Sequence, residues 1–173
     1  MKSKIAILYS WFIRSFLYFL PDLPLIMRIR GFLYSFCMKQ CGTNFQVAHN
    51  VLISNLTNLS VGNNVRIGTF CRIIGSGKIT LKDEINIGTG SVLVSGNHKF
   101  NGRNFRDLRG IPGDILIENG CWIGGNCTIT ANSFIPRFSI IAANSCVTRK
   151  MEKIEYGVYA GLPAKFVKKH IYD

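Results

Sequence analysis

From Val47 onward the aliphatic residues recur every six positions, a period that few folds accommodate. Val47 and Ile53 are followed after eight residues by Val61, and Ile67 and Ile73 after eight by Leu81. Ile87 and Leu93 are followed, across a long insertion, by Ile117, after which Ile123, Ile129, Ile135, Ile141 and Val147 keep strict sixes. Four places after many of these comes a small or modest residue: Val65, Cys71, Ser91, Cys121, Cys127, Ser133, Ser139 and Ser145. Glycine often follows the aliphatic residue directly, at Gly62, Gly68, Gly88 and Gly124. An amphipathic helix repeats about every 3.6 residues and a half-buried strand every two, so neither explains the pattern. A parallel β-helix does: each hexad forms one short face, three faces make a coil, and the aliphatic residue points into the prism. The small residue packs near the corner, and Gly and Asn take up the bends between faces. Stability then comes from stacking coil on coil. A sandwich of strands would instead show alternation with turn signals at longer spacing.

The interruptions fall in register. Grouped in threes as 47-53-61, 67-73-81 and 87-93-117, every insertion comes after the second member. Two are bulges of two residues and the third is the long loop from about Gly96 to Asp114, so all three stack at one corner. A loop projecting from a rigid scaffold is a common place for chemistry.

A chain of 173 residues, 47% apolar and 17% charged, is expected to form one packed domain rather than a disordered segment. Lys and Arg number 21 against 9 Asp and Glu, and the net charge of +12 implies an anionic partner: nucleic acid, an acidic membrane surface or a phosphorylated cofactor. The basic residues are scattered along helices, loop and tail rather than gathered in a recognition motif, which argues against nucleic acid. Four of the six cysteines fall inside the repeats and no CxxC pair occurs, so they read as small core residues in a reducing cytoplasm, without zinc-type spacing.

Ahead of the repeat, residues 1–40 read as a helical segment, and residues 41–173 as the β-helix domain with a basic tail. Two helices, Lys4 to Leu20 and Leu25 to Lys39, are broken by the Pro21-Asp22-Leu23-Pro24 corner. Arg14, Arg28, Arg30 and Lys39 sit among Trp11, Phe12, Phe16, Phe19, Phe32, Tyr34 and Phe36. The favoured reading is a cap on the end of the prism; the second is an interfacial helix at the inner face of a membrane. The stretch Ile5 to Leu20, interrupted by Arg14, is short for a span and carries no persuasive cleavage site.

Three local motifs accompany the repeat. Ser95-Gly96-Asn97-His98-Lys99-Phe100 opens the long loop, Gly120-Cys121-Trp122-Ile123-Gly124-Gly125-Asn126 follows it, and Ala160-Gly161-Leu162-Pro163-Ala164-Lys165 lies after the last hexad. His98 is one of three histidines, and an imidazole can accept a proton near neutral pH. A hydroxyl attacking a thioester needs such a base within hydrogen-bond reach. Asp107 and Asp114 on the loop, Glu84 one coil away, or a backbone carbonyl could orient its ring. Backbone N–H groups between Trp122 and Gly125 are candidate oxyanion donors.

With these motifs in this order, residues 42–169 resemble the hexapeptide-repeat acyltransferases, most closely the sugar O-acetyltransferases of galactoside, maltose, capsule and O-antigen type. The resemblance implies a mainly β, left-handed parallel β-helix, a homotrimer, and acetyl-CoA lying in a groove between neighbouring subunits, with no metal. It implies that His98 is the catalytic base. Gly125 and Ala143 would offer backbone groups to the pantetheine arm, and Thr148 and Arg149 match a Thr-Lys pair at the cofactor. Lys165 matches a basic residue near the 3′-phosphate, with Lys168 as a second match, and such cations suit phosphate oxygens. Ser76 and Asn97 are the candidate acceptor contacts. The run Arg149-Lys150-Met151-Glu152-Lys153 lacks the family's prolines and is slightly longer, and the sugar-binding Asn of galactoside acetyltransferases falls near Gly68, so that contact is missing.

The implied activity is acetylation of a saccharide hydroxyl in surface-polysaccharide biosynthesis, with N-acetylation of an amino sugar as the nearest alternative. The helical segment is too short for the larger helical domain typical of serine acetyltransferases. A γ-type carbonic anhydrase would need three zinc ligands, whereas His49, His98 and His170 stand near the start, middle and end of the chain. A non-catalytic assembly β-helix would need neither the His98 motif nor the basic tail.

Overall fold

The computed structural model describes residues 2–106 and 110–170. Short strands wind into a three-sided prism whose sides are named here by their first buried aliphatic residue. The Val47 face stacks Gln46–Val47, Arg66–Ile67, Asn86–Ile87, Trp122–Ile123 and Ile140–Ile141 in parallel. The Ile53 face stacks Leu52–Ile53, Arg72–Gly75, Val92–Asn97, Thr128–Ile129 and Cys146–Val147. The Val61 face stacks Gln40–Cys41, Leu59–Val61, Ile79–Leu81, Ile115–Ile117 and Phe134–Ile135.

Every aliphatic residue of the six-residue series, from Val47 to Val147, is at most 1% exposed. The position two before each is buried as well. It is small at Cys71, Ser91, Cys121, Cys127, Ser133, Ser139 and Ser145. It is large at Leu59, Ile79 and Ile115, where the inserted residues lengthen the strand to three.

Polar chemistry explains why Ser and Cys recur at these tight corners. The Ser91 hydroxyl donates to the Gly124 carbonyl of the next turn at 2.9 Å, and the thiols of Cys71 and Cys127 donate to Gly88 and Ala142, each at 3.1 Å. Each gives a corner carbonyl a side-chain donor that an alanine would not supply. Burial pushes the Cys71 and Cys121 thiols up to about 11, so they remain protonated donors and unreactive.

Glycine and asparagine divide the corner work differently from the expectation. The glycines after the aliphatic residues serve close approach: a Cβ on Gly88 would lie 2.7 Å from Gly124 C, and one on Gly124 would lie 2.6 Å from Ala143 N. The left-handed bend sits two residues later, at Asn50, Asn64, Asn126, Asn132 and Asn144, where Asn pays the smallest steric penalty after glycine. Phe70, Glu84 and Phe138 occupy the same bend with φ between 56° and 61°.

The two N-terminal helices end earlier than the residue pattern predicts: α1 spans Lys2–Phe16 and α2 spans Pro24–Ser35. Pro21 disfavours helical backbone before it, and residues 17–20 close in tighter turns. The buried Arg30 donates to the carbonyls of Leu17 and Leu20, capping that end. After α2 the Lys39 N–H donates to Leu59 O, and the chain enters the Val61 face at Gln40.

Ala6, Ser10, Ile13 and Leu17 form the buried stripe of α1, and the Ser10 hydroxyl donates to Ile53 O at 2.6 Å. Asp22 fastens the helices to the coil, accepting from Arg30 at 2.7 Å and from the His49 backbone N–H at 2.7 Å, with Thr69 and the His49 ring around its other oxygen. Burial alone would raise its pKa, but the His49 and Thr69 hydrogen bonds outweigh burial and hold it below the usual carboxylate value.

At the other end residues 148–156 replace a sixth Val61-face strand. Gly157–Ala160 then joins the Val47 face, pairs antiparallel with Lys165–Lys169, and plugs the prism with the buried Tyr159.

Candidate active site

All three insertions lie at the corner between the Ile53 and Val61 faces, as the register predicts. The first is the short turn Leu56–Asn58, the second surrounds Ser76, and the third is an arm beginning at His98. A buried polar ladder roots the arm. The Asn55 amide donates to Gly77 O at 2.7 Å and to the Ser95 hydroxyl at 3.3 Å, while the Ser95 hydroxyl donates to Gly77 O at 3.1 Å. Asn55 comes from the first insertion, Gly77 from the second and Ser95 from the root of the third, and their bonds tie three turns together beneath the arm. The returning chain, Ile111–Pro112, pairs antiparallel with the end of Val92–Asn97, setting Asn97 opposite Ile111.

The arm's tip is folded on itself. The Asn101 side-chain oxygen accepts from the Arg103 and Asn104 N–H groups at 2.9 and 2.8 Å, and the Phe100 and Phe105 ring centroids stand 5.1 Å apart. His98 leaves the strand here, exposed to solvent and without a hydrogen bond to any described residue. Its ring nitrogens are open to an incoming hydroxyl.

The orienting carboxylates expected for His98 stand elsewhere. Asp114 accepts the Lys78 N–H at 2.8 Å and belongs to the coil, and Glu84 takes the Asn64 amide at a different corner. Asp107 lies outside the described residues. The expected oxyanion donors are reduced to one, because the Trp122 and Gly124 N–H groups donate to Ser139 O and Ile141 O in the ladder. The Gly125 N–H has no such partner.

Ser76 and Asn97 share the arm's corner in adjacent turns, both exposed; Gly96 passes so near that an added Cβ would lie 3.4 Å from Ser76 Oγ. Gly68 lies hard against the next turn, 2.8 Å from Thr89 N to an added Cβ, so no acceptor-binding side chain fits there.

The expected cofactor residues fall in two groups. Gly125 and Ala143 occupy the corner between the Val47 and Ile53 faces in successive turns, joined by the Asn144 N–H donating to Gly125 O at 2.9 Å. Both have backbone N–H groups without a backbone partner, so they can donate to a ligand lying along that edge. The same position in the first turn, three turns below Gly125, is His49, and its N–H is taken by the Asp22 carboxylate.

Thr148 and Lys165 line a hollow of about 450 Å³ with Lys150, Glu152, Pro163 and Ala164. This hollow lies at the arm's corner, two rungs above its root, or ~10 Å along the axis. Arg149 is exposed outside the lining, and Lys168 pairs with Val158 farther along the hairpin. Of the neighbouring cations Arg149 and Lys150, Lys150 is the one that lines the hollow.

His98 and the Gly125–Ala143 edge therefore stand at opposite margins of the Ile53 face: one follows its strands and the other precedes them. A single chain does not bring the two groups together.

The sequence matches no protein-family model. A Lysinibacillus sphaericus protein named for macrolide acetyl transfer is 46% identical over 61 residues, 35% of this chain and 33% of that protein, so the match spans about a third of that relative's length. The dTDP-4-amino-4,6-dideoxy-D-glucose acyltransferase of Escherichia coli is 26% identical over 156 residues, 73% of this chain and 80% of that one. Among solved structures, a hexapeptide-repeat acetyltransferase of Vibrio cholerae complexed with acetyl-coenzyme A superposes with a TM-score of 0.80 at 20% identity, covering 96% of this chain and 87% of that one. A maltose O-acetyltransferase of Clostridium difficile gives 0.80 at 20% identity, covering 98% and 89%. The prism is thus the left-handed parallel β-helix. In its six-residue rungs and the arm opened by His98, the chain is similar to these hexapeptide-repeat acetyltransferases.

Proposed function

We propose that the protein transfers an acetyl group from acetyl-CoA to a hydroxyl of a saccharide acceptor, in the assembly of a surface polysaccharide or its precursor, with His98 as base. The observation that carries this reading is the state of His98: an imidazole at the root of a pinned arm, exposed and without a hydrogen bond to any other described residue. His98 would withdraw the acceptor's proton as its oxygen attacks the thioester carbonyl. The tetrahedral oxyanion would be held by a backbone N–H, for which Gly125 has a free donor. As the C–S bond breaks, the imidazolium returns its proton to the departing sulfur. The hollow lined by Lys150 and Lys165 suits the phosphates of coenzyme A, and the Gly125–Ala143 edge suits the amides of its pantetheine arm.

A trimer completes this site. Cyclic symmetry can set the His98 margin of one prism against the Gly125–Ala143 margin of the next, which one chain cannot do alone.

The likeness to the Escherichia coli dTDP-amino-sugar acyltransferase favours a second reading, N-acylation of an amino sugar carried on a nucleotide. A screen with labelled acetyl-CoA against neutral sugars, amino-sugar nucleotides and lipid-linked oligosaccharides separates the two. The main reading expects label in an ester that mild alkali releases. Alkali-stable label on an amine would establish the alternative, and no transfer to any saccharide would sink both.

A further inference from the structure

The exposed face of the two N-terminal helices is the feature that acyl transfer leaves unused. Ile5, Leu8, Phe12 and Phe16 form an outward stripe on α1, continued by Phe19, and these side chains are between 56% and 90% exposed. Ile5, Leu8 and Phe12 stand one or two positions from the buried residues Ala6, Ser10 and Ile13, or roughly 100–160° around the helix. The helix is therefore apolar well beyond its buried stripe, and the prism covers only that stripe. The second helix repeats the arrangement. Met27, Arg30, Gly31 and Tyr34 face the prism, and Leu25, Ile29, Phe32 and Phe36 face away. The outward rings also meet one another, Phe12 with Phe16 and Phe32 with Phe36. A continuous apolar surface left outside the core marks an interaction site.

Charge selects the partner. Lys4, Arg28 and Lys39 are exposed in this segment, while Asp22, the single acid of residues 1–40, is occupied by Arg30 and His49. A second copy presenting the same face would oppose cation to cation. Another face of a copy offers little relief in a chain with 21 basic and 9 acidic residues. An anionic lipid surface satisfies both halves of the pattern, taking aromatic and aliphatic side chains below the headgroups and lysines at their phosphates. Trp11 and Tyr18, exposed beside the stripe, are side chains suited to the headgroup level. No helix among the described residues is long and apolar enough to cross a membrane, so the contact is one of lying on the surface.

We infer that the outward face of α1 and α2 docks the protein onto an anionic lipid bilayer, holding the His98 arm near acceptors carried there. The docking itself is independent of the acyl-transfer reading. The test is co-sedimentation of the full chain with vesicles of phosphatidylcholine alone and of phosphatidylcholine mixed with phosphatidylglycerol. Binding is expected to the mixed vesicles, weakly to the neutral ones, and to fall with added salt. Phe16→Ser with Phe19→Ser should lower vesicle affinity on the order of tenfold or more. Helical circular dichroism should be unchanged, because Phe16 and Phe19 are 73% and 90% exposed. Lys4→Glu with Lys39→Glu should weaken binding and flatten its salt dependence. Failure of the unaltered protein to bind mixed vesicles, or indifference of binding to the phenylalanine pair, overturns the inference. So does a change in lipid-free oligomer mass in the serine variant without vesicle binding by the parent, since a second copy would then be what covers this face.

Discussion

Between Val47 and Val147 each rung repeats its neighbour, and the inward side chain of every one is at most 1% exposed; residues 98–106 repeat nothing and present His98, Phe100 and Phe105 to solvent. The rungs are held by ladders on both sides. The described part of the arm is held by one antiparallel pair and by the Asn55–Ser95 ladder beneath it. The contrast separates stability from chemistry: the inward side chains that build the column are shut away from any ligand, and the exposed His98 carries little of the fold.

Substitutions can break that separation. The largest effect is expected for His98→Ala, which should lower the rate of acetyl transfer on the order of 10²–10⁴-fold and leave the thermal midpoint unmoved. Turnover measured beside a melting curve checks both halves, and a variant of normal activity would remove His98 from the chemistry.

Ile123→Ala is the converse case. It leaves a cavity between the Asn86–Ile87 and Ile140–Ile141 rungs, and should cost about 3–4 kcal/mol in urea unfolding. Transfer per folded molecule should hold.

Asp22→Asn should cost about 3 kcal/mol, because it leaves the buried Arg30 without its counter-charge. Its pH dependence has a definite sign. Asp22 has a folded-state pKa lowered by its His49 and Thr69 bonds against the effect of burial, so its contribution is complete above the ordinary carboxylate pKa and is lost as pH falls through the lowered value. Stability of the parent should therefore drop on acidification more steeply than that of the Asn variant. Equal acid limbs would show that the clasp does not depend on the carboxylate's charge.

The smallest effect is expected for Lys165→Ala: a rise in KM for acetyl-CoA of roughly tenfold, with kcat and acceptor KM unchanged. A change confined to acceptor kinetics would detach the hollow at Thr148 from the cofactor.

The helices show where pattern reading falls short. Their existence followed from aromatic and aliphatic spacing around the Pro21–Pro24 corner, but α1 ends at Phe16 and α2 at Ser35. Those ends are set by Arg30 reaching back to the Leu17 and Leu20 carbonyls and by Lys39 joining the Leu59 strand. Both contacts join distant parts of the chain and leave no local trace. Lys150 was passed over for a similar reason: which cation of the Arg149-Lys150 pair lines the hollow depends on how residues 148–156 cross to the plug, not on the residue types.

By itself the sequence determined the column. A six-residue period with in-register insertions admits one way of burying its aliphatic side chains, because every rung repeats the same environment and local order is enough to read it. It also marked His98, which stands where the period breaks. Only the tertiary structure decided that Asp114 and Glu84 serve the coil rather than His98, that Ser76 and Asn97 share one corner in adjacent turns, and that the Gly125–Ala143 edge lies across the Ile53 face from the arm. Those outcomes depend on which corners stack above one another, and a residue's place around a prism is fixed by the sum of all the turns before it.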